Sequence, residues 1–296
     1  MNCTALILCL SMITLLSPTP GSDRFSGLDR AIDSLVAGHQ GTFAVVVKDL
    51  QTGASYSRNE HVVFHAASTM KTPVMAELMR QVQIGKRSLD ESVPVENVFH
   101  SIIDGSSYSL DPSDDSDPSL YHAIGTSVPM RDLLVRMITR SSNLATNLVI
   151  DCIGAENLMT LPDEMGLKNM KVLRGVEDTK AFRAGKNNVT SAADLAAFFE
   201  RIAQHRLVSA PACDTMISIL LQQEFRDMIP ALLPNNVRVA HKTGSITNVQ
   251  HDSGIVTLPD GRSYILILLS KELSSNDDGI RCLQQISRAV YDIMVH

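Results

Sequence analysis

Two patterns of apolar residues occur along the chain, and the strand-like pattern lies near its two ends. Residues 41–50 form an apolar, β-branched run that ends in a turn-like Gln-Thr-Gly sequence, which predicts a strand. A Pro-Asp-Gly sequence at 259–261 indicates a hairpin turn between two later apolar runs. The predicted strands are 41–50, 54–57, 237–242, 249–258 and 263–270.

The central part of the chain has the helical pattern, in which apolar residues recur three and four positions apart. In the first such segment, 68–83, the apolar positions are Met70, Val74, Met75, Leu78 and Val82. The other predicted helices are 130–139, 143–153, 156–165, 191–204, 214–222 and 280–295. Residues 101–119 are rich in Ser, Asp and Pro, which predicts a long, solvated surface loop.

This order of elements predicts the architecture. The economical arrangement joins the terminal strands into one antiparallel sheet and leaves the helical block as a second lobe. We therefore expect an α/β (α+β) fold, with a sheet lobe of about 22–67 and 235–296 that terminal helices flank. The helical lobe would span about 68–234, and a ligand site is expected in the cleft between the lobes.

The N-terminal segment has the character of an export signal. Residues 5–16 are apolar and are followed by small residues and prolines up to Gly21. This run is too short to span a bilayer, but it fits the apolar core of a signal peptide. We expect a signal over 1–21, a single domain over 22–296, and a periplasmic or secreted protein. Since no Lys or Arg precedes the run, an uncleaved anchor is the alternative.

Composition narrows the class of protein further. Apolar residues make up 44% and charged residues 20%, as in soluble globular proteins, and a net charge of -6 argues against nucleic acid as a partner. Beyond the signal, Cys152, Cys213 and Cys282 are isolated, so no disulfide scaffold or zinc knuckle is expected. His61 and His65 lie four apart but lack the Glu of H-E-x-x-H. We expect a monomer with no metal and no cofactor.

The first motif with catalytic potential is Ser68-Thr69-Met70-Lys71. Its spacing places the Ser68 hydroxyl and the Lys71 amine on one helix face, one turn apart. A hydroxyl becomes a good nucleophile when a base removes its proton, and a desolvated lysine can be that base. The start of a helix also offers N–H groups to an oxyanion. A capping Ser followed by a solvated Lys is the non-catalytic alternative.

The second motif is Ser141-Ser142-Asn143, at the junction of two predicted helices. From such a turn Ser141 could pass a proton to a leaving amine, while Asn143 holds a substrate amide and the Lys71 side chain. An ordinary helix cap by Ser141 or Ser142 is the alternative.

The third motif is Lys242-Thr243-Gly244-Ser245, at the end of a predicted strand. Gly244 allows close approach of a ligand backbone, and Lys242 and Thr243 offer a cation and a hydroxyl to a carboxylate. The N–H of Ser245 could complete an oxyanion hole with that of Ser68. A solvated strand end is the alternative.

The three motifs follow one another in the contexts that this chemistry requires. In this respect the chain resembles the class A serine β-lactamases and penicillin-binding proteins, whose elements are S-x-x-K, S-D-N and K-T-G. The resemblance extends from about residue 41 to the last helix and includes FHAASTMK, ATNLVI and AHKTGS. It implies the two-lobed serine β-lactamase fold.

The resemblance also implies a role for each motif residue. Ser68 would be acylated by the β-lactam, and Lys71 and Ser141 would transfer protons. The substrate-binding residues would be Asn143, Lys242, Thr243, Gly244 and Ser245. The substrate would be a small-molecule β-lactam, with a role in antibiotic resistance. A D-Ala-D-Ala peptidase acting on a peptidoglycan stem peptide and a non-hydrolysing penicilloyl-binding sensor are the alternatives.

The sequence departs from the family pattern in several places. Ser142 replaces the Asp of S-D-N. Class A enzymes deacylate with a Glu that is paired with an Asn four residues on; Glu177 lies in about the right place, but Ala181 stands where the Asn would be. Asp178 is a second candidate, and a surface acid is the competing interpretation of Glu177. After K-T-G, Asp252 lies where a carboxylate-binding Arg would be expected.

Overall fold

The computed structural model describes residues 24–296, which form eleven strands and nine α-helices. The strands are β1 (Thr42–Asp49), β2 (Ser55–Arg58), β3 (Phe64–His65), β4 (Ser92–Pro94), β5 (Phe99–His100), β6 (Ser107–Tyr108), β7 (Ser127–Pro129), β8 (Val189–Thr190), β9 (Arg238–Ile246), β10 (Val249–Thr257) and β11 (Ser263–Lys271). The helices are α1 (Leu28–Val36), α2 (Lys71–Gln83), α3 (Met130–Thr139), α4 (Asn143–Ile153), α5 (Thr160–Glu164), α6 (Thr179–Arg183), α7 (Ala192–Ala203), α8 (Ala210–Leu220) and α9 (Asn276–Met294).

The main sheet joins the two ends of the chain. Its five antiparallel strands have the order β2-β1-β11-β10-β9, so β1 pairs with β11 across more than 200 residues of sequence. The other strands form three two-stranded sheets, β3-β8, β4-β7 and β5-β6. The predicted α+β architecture, with one antiparallel sheet built from both ends of the chain, is confirmed.

Both faces of the main sheet are buried. On β1, Phe43, Val45 and Val47 pack into a core with α1 and α9, whereas Ala44 and Val46 join the core of the helices on the other face. Successive side chains of a strand point to opposite faces, so a strand that is covered on both sides is apolar throughout. This double burial explains the continuous apolar run that predicted β1.

The helices on the second face place α2 at their centre. Most of α2 is buried, and α2 contacts α3, α4, α5 and α8. Cys152, Cys213 and Cys282 are free thiols. Within residues 24–296, no helix has both the length and the apolar character needed to cross a bilayer.

Several predicted boundaries are confirmed and others are wrong. The bounds of α3 and α4 agree with the prediction. Helix α8 begins at Ala210, earlier than predicted, because Ser209 caps it. Helix α9 begins at Asn276, which is also earlier than predicted. The apolar pattern did not reveal its first turn, because that turn is polar. The region 156–165 contains only the short α5 after a 3₁₀ turn.

Two further expectations need correction. Strand β9 continues to Ile246, so the Lys-Thr-Gly-Ser sequence lies inside the strand and not at its end. The acidic segment 101–119 is not wholly a solvated loop, because the side chains of Asp115 and Asp117 are buried. The predicted signal over 1–21 lies outside the described residues, and the predicted lobe boundaries stay a prediction.

Candidate active site

Ser68 lies on a single 3₁₀ turn, Ala67–Met70, immediately before α2. The sequence predicted an α-helix that begins at Ser68. In the structure the α-helix begins at Lys71 instead. In a 3₁₀ turn, side chains three residues apart are eclipsed, so Ser68 and Lys71 still share one side. The turn is fixed by Thr69, whose N–H and hydroxyl both donate to the Ala66 carbonyl, at 3.0 and 2.6 Å.

Lys71 is fully buried and its amine is held by polar atoms of the second motif. Nζ donates to the Ser141 carbonyl at 2.6 Å, to Asn143 Oδ1 at 2.9 Å and to the Ser141 hydroxyl at 3.2 Å. Burial lowers the pKa of Lys71 to about 7, although the negative charges of Asp115 and Glu177 oppose this shift. A neutral amine, which can accept a proton, is therefore accessible near neutral pH.

Ser141 connects α3 to α4 in a left-handed conformation, with φ at 57°. Its hydroxyl receives a second hydrogen bond from Lys242 Nζ, at 3.1 Å. A hydroxyl oxygen has two lone pairs and one proton to donate. Because Lys71 and Lys242 occupy both lone pairs, the Ser141 proton is free to be passed elsewhere.

Asn143 links the amine to the acidic side of the site. Its Oδ1 accepts from Lys71, while its Nδ2 donates to Glu177 Oε1 at 3.3 Å. Burial raises the pKa of Glu177, the hydrogen bond from Asn143 lowers it, and the nearby charge of Asp114 raises it. The amide that orients Glu177 thus comes from Asn143 and not from position 181.

The other two positions near Glu177 are structural. The Asp178 carboxylate accepts from the Ser101 hydroxyl at 2.8 Å, from the Ile102 N–H at 3.0 Å and from the Ala181 N–H at 3.0 Å. It therefore caps α6 and fastens a neighbouring loop. Ala181 is fully buried. These contacts favour a structural role for Asp178, although it also lines the first recess, and its use as a spare base stays a prediction.

Strand β9 brings the third motif to Ser68. Lys242 is fully buried, and burial together with the positive charge of Lys71 lowers the pKa of Lys242 well below its ordinary value. A Cβ added to Gly244 would lie 3.2 Å from the backbone nitrogens of both Ser68 and Thr69. Only glycine leaves this space open, so the amide of Ser68 faces β9 without obstruction.

Two recesses meet at Ser68. One, of about 430 Å³, is lined by Ser68, Lys71, Asn143, Glu177 and Ser245, among others. The other, of about 410 Å³, is lined by Ser68, Ser141, Thr243 and Ser245, among others. All nine predicted site residues therefore lie together. Seven of them line the recesses. Lys242 donates a hydrogen bond to the Ser141 hydroxyl, and Gly244 lies against the backbone of Ser68.

Asp252, by contrast, does not face the recesses. It is fully buried, and its carboxylate binds His241 Nδ1 at 2.8 Å and the Ile229 N–H at 2.9 Å. The Asp252 carboxylate is therefore engaged within the protein core, on β10. His65 lines the first recess, where its Nδ1 accepts from the Ala67 N–H at 3.0 Å. Across residues 24–296, no group of three or more His, Cys, Asp or Glu side chains is arranged to hold a metal ion.

Comparison with known proteins decides the family. The model of the β-lactamase enzyme family matches residues 27–294. The chain belongs to the β-lactamase enzyme family. A β-lactamase from Bacteroides uniformis is 24% identical to it, over 97% of this chain and 98% of that protein.

Solved structures have the same fold. A β-lactamase from Sphaerobacter thermophilus has a TM-score of 0.78 at 23% identity, over 92% of this chain and 98% of its own. A mutant of PBP-A in acyl-enzyme complex with penicillin G has a TM-score of 0.77 at 27% identity, over 91% of this chain and 97% of its own. The serine β-lactamase fold implied by the motifs is thus confirmed.

Sequence reasoning missed two residues of this β-lactamase-family site. Asn147, on α4, binds both the N–H and the carbonyl of Val176, at 2.7 and 2.9 Å, and so holds the loop that carries Glu177. Asp115 binds the first turn of α4. Both act on backbone atoms that are distant in sequence, which no local motif can reveal. The four-residue spacing of Asn143 and Asn147, which places both on one face of α4, was the available signal.

Proposed function

We propose that this protein is a serine β-lactamase that opens the β-lactam amide through an acyl-enzyme on Ser68. The observation that carries the proposal is the network in which the buried amine of Lys71 contacts Ser141 and Asn143 beside Ser68. Most lysine amines are solvated, because burying the charged form is costly, so a buried lysine with a lowered pKa beside a recess is a candidate functional group.

In the acylation step, neutral Lys71 takes the proton of the Ser68 hydroxyl as Oγ attacks the lactam carbonyl carbon. The N–H groups of Ser68 and Ser245 receive the developing oxyanion. The C–N bond then breaks, and the leaving nitrogen takes the proton of Ser141, which the amines of Lys71 and Lys242 can replace.

In the deacylation step, ionised Glu177 removes a proton from water as that water attacks the ester carbonyl. The ester C–O bond breaks, and the proton that Glu177 took from water is returned to Ser68 Oγ, directly or through Lys71, so that Glu177 is ionised again and the free enzyme is restored. The hydrogen bond from Asn143 to Glu177 supports this role, because it orients the carboxylate beside the first recess. Thr243 and Ser245 would bind the substrate carboxylate from the second recess.

The test is turnover of a chromogenic cephalosporin by the purified protein. Many turnovers per enzyme support the proposal, and they should disappear in Ser68→Ala. A single stoichiometric burst would contradict hydrolysis and favour a penicilloyl-binding sensor.

A D-Ala-D-Ala peptidase is the second candidate, since the three motifs occur in penicillin-binding proteins as well as in β-lactamases. Release of D-alanine from a peptidoglycan stem peptide, without cephalosporin turnover, would favour it. We also propose that the enzyme is exported to the periplasm or secreted and acts there as a monomer.

A further inference from the structure

The Ser-Ser-Asn motif lacks the acidic residue of S-D-N, yet a carboxylate is present at the same helix start. It belongs to Asp115, which lies on the acidic segment 101–119 and is only 7% exposed. Its Oδ1 accepts from the N–H of Asn143 at 3.0 Å, and its Oδ2 accepts from the N–H of Leu144 at 2.8 Å. The Tyr121 hydroxyl, at 3.1 Å, and the Asp117 N–H, at 2.9 Å, complete its contacts.

Helix α4 needs these acceptors. The first N–H groups of a helix have no partner within it, and a buried N–H that is left unpaired destabilises the fold. Ser142 satisfies one of them, since its hydroxyl accepts from the Ala145 N–H at 3.2 Å. The N–H groups of Asn143 and Leu144 depend on Asp115.

We propose that Asp115 is a positioning residue of the active site, which fixes the start of α4 and thereby the contacts of Ser141 and Asn143 with Lys71. This inference rests on the proposed function, because the contacts in question are those of the acylating network. Asn143 is shared between Lys71 and Glu177, so a shift of the α4 start disturbs both. Misplacing a catalytic group by about 1 Å can cost about 100-fold in rate.

Charge supports the same role. A carboxylate at a helix N-terminus is favoured by the helix dipole. The groups that act electrostatically on Lys71 are Lys242 on β9, Glu177 on its loop, and Asp115. The negative charge of Asp115 opposes the effect of burial on the pKa of Lys71, so its removal would lower that pKa further.

Asp117 provides a matched control. It lies two residues away on the same segment, and its carboxylate is also buried. It pairs with Arg136 of α3, at 2.7 Å, and not with α4. Asp117→Asn therefore removes the same charge from the same segment but leaves the start of α4 in place.

The experiment compares Asp115→Asn and Asp117→Asn with the wild-type protein. The rate constant for acylation by penicillin is measured by rapid quenching and intact-mass spectrometry, and the melting temperature is recorded for each protein. We expect acylation to fall about 10- to 100-fold in Asp115→Asn and to stay within about threefold in Asp117→Asn, even where both variants lose stability. In a plot of acylation rate against pH, the rise on the acidic side should move to lower pH in Asp115→Asn only, because the pKa of Lys71 falls when the charge of Asp115 is removed.

A second readout does not depend on activity. Hydrogen exchange at the amides of Asn143 and Leu144 should be faster in Asp115→Asn and unchanged in Asp117→Asn. The double variant Asp115→Asn/Ser142→Asp places a carboxylate at the S-D-N position. Its acylation rate should be at least tenfold higher than that of Asp115→Asn.

Acylation of Asp115→Asn within threefold of the wild-type rate, or an equal loss in Asp117→Asn, would overturn the inference. If Asp115→Asn does not fold, Tyr121→Phe takes its place, since it removes one partner of the carboxylate without changing charge. A two- to tenfold loss in that variant supports the inference, and an unchanged rate contradicts it. If the wild-type protein itself is not acylated, the proposed function fails, whereas the exchange measurement still tests Asp115.

Discussion

The amine of Lys242 on the sheet donates a hydrogen bond of 3.1 Å to the hydroxyl of Ser141, at the junction of two helices. Lys71 donates to the same hydroxyl at 3.2 Å. Two buried amines therefore share one acceptor oxygen. The leaving nitrogen of a substrate in the second recess would meet the one hydroxyl proton that this arrangement leaves free.

Replacing Ser141 with glycine tests this proton path. Glycine tolerates the left-handed backbone at this position, so Ser141→Gly removes the hydroxyl with little backbone cost. We expect acylation to fall by about 100-fold or more, because the leaving nitrogen loses its proton donor. Asn248→Gly is the control, since Asn248 has φ of 61° in the exposed turn between β9 and β10. An acylation rate of Ser141→Gly equal to that of the control would refute the path.

The pH dependence of acylation tests Lys71 as the base. Its pKa of about 7 is far below the usual 10.5 of a lysine, chiefly because of burial. Only the neutral amine accepts a proton, so the acylation rate should rise with pH up to about 7 and then level off. Stopped-flow acylation between pH 5 and 9 measures this limb, and Lys71→Arg, which stays charged, is the control. A rate that is constant between pH 5 and 8 would contradict the assignment.

Glu177→Gln separates the two chemical steps. The amide keeps the shape of the carboxylate but cannot take a proton from water, so the acyl-enzyme should accumulate while its formation is little changed. Glu164→Gln, on the exposed surface of α5, is the control. Steady-state turnover that survives in Glu177→Gln would exclude Glu177 as the base.

The same variant should not be less stable. Burial raises the pKa of Glu177 in the folded state, so the folded protein binds its proton more tightly than the unfolded chain does. This contribution to stability is present below the unfolded pKa and is lost as the pH rises through the folded pKa. At pH 7 the ionised carboxylate is therefore unfavourable, and Glu177→Gln should melt at or above the wild-type temperature in a thermal scan.

Gly244→Ala tests the approach of β9 to the nucleophile. The added methyl group would lie 3.2 Å from the Ser68 nitrogen, which is the amide expected to bind the oxyanion. Acylation should fall about tenfold or more, with little change in melting temperature. Gly38→Ala is the control, because a Cβ there meets no atom within 4 Å. Unimpaired acylation in Gly244→Ala would show that this amide is not used.

Local pattern predicted much of the fold. Helices α3 and α4 have the predicted bounds because their apolar spacing and the cap at Ser142 are both encoded locally. The continuation of β9 beyond Lys242 was not predicted, since Thr-Gly-Ser resembles a turn when the pairing with β10 is unknown. Pairing between strands is a long-range property, and periodicity alone does not contain it.

The sequence also predicted part of the site and missed another part. The three motifs named residues that the structure brings together around Ser68. Asp115 and Asn147 were not predicted, because both bind backbone atoms that are distant in sequence. Asp115 binds the N–H of Asn143, 28 residues away, and Asn147 binds the N–H of Val176, 29 residues away. Such partners become visible only when the helices are packed.

Intact-mass spectrometry after brief exposure to penicillin tests the central claim most directly, with the wild-type protein, Glu177→Gln and Ser68→Ala side by side. We predict an adduct of one penicillin that decays in the wild-type protein, persists in Glu177→Gln and maps to the peptide containing Ser68. Ser68→Ala should carry no adduct. An adduct on Ser68→Ala, or none on Glu177→Gln, would contradict the account.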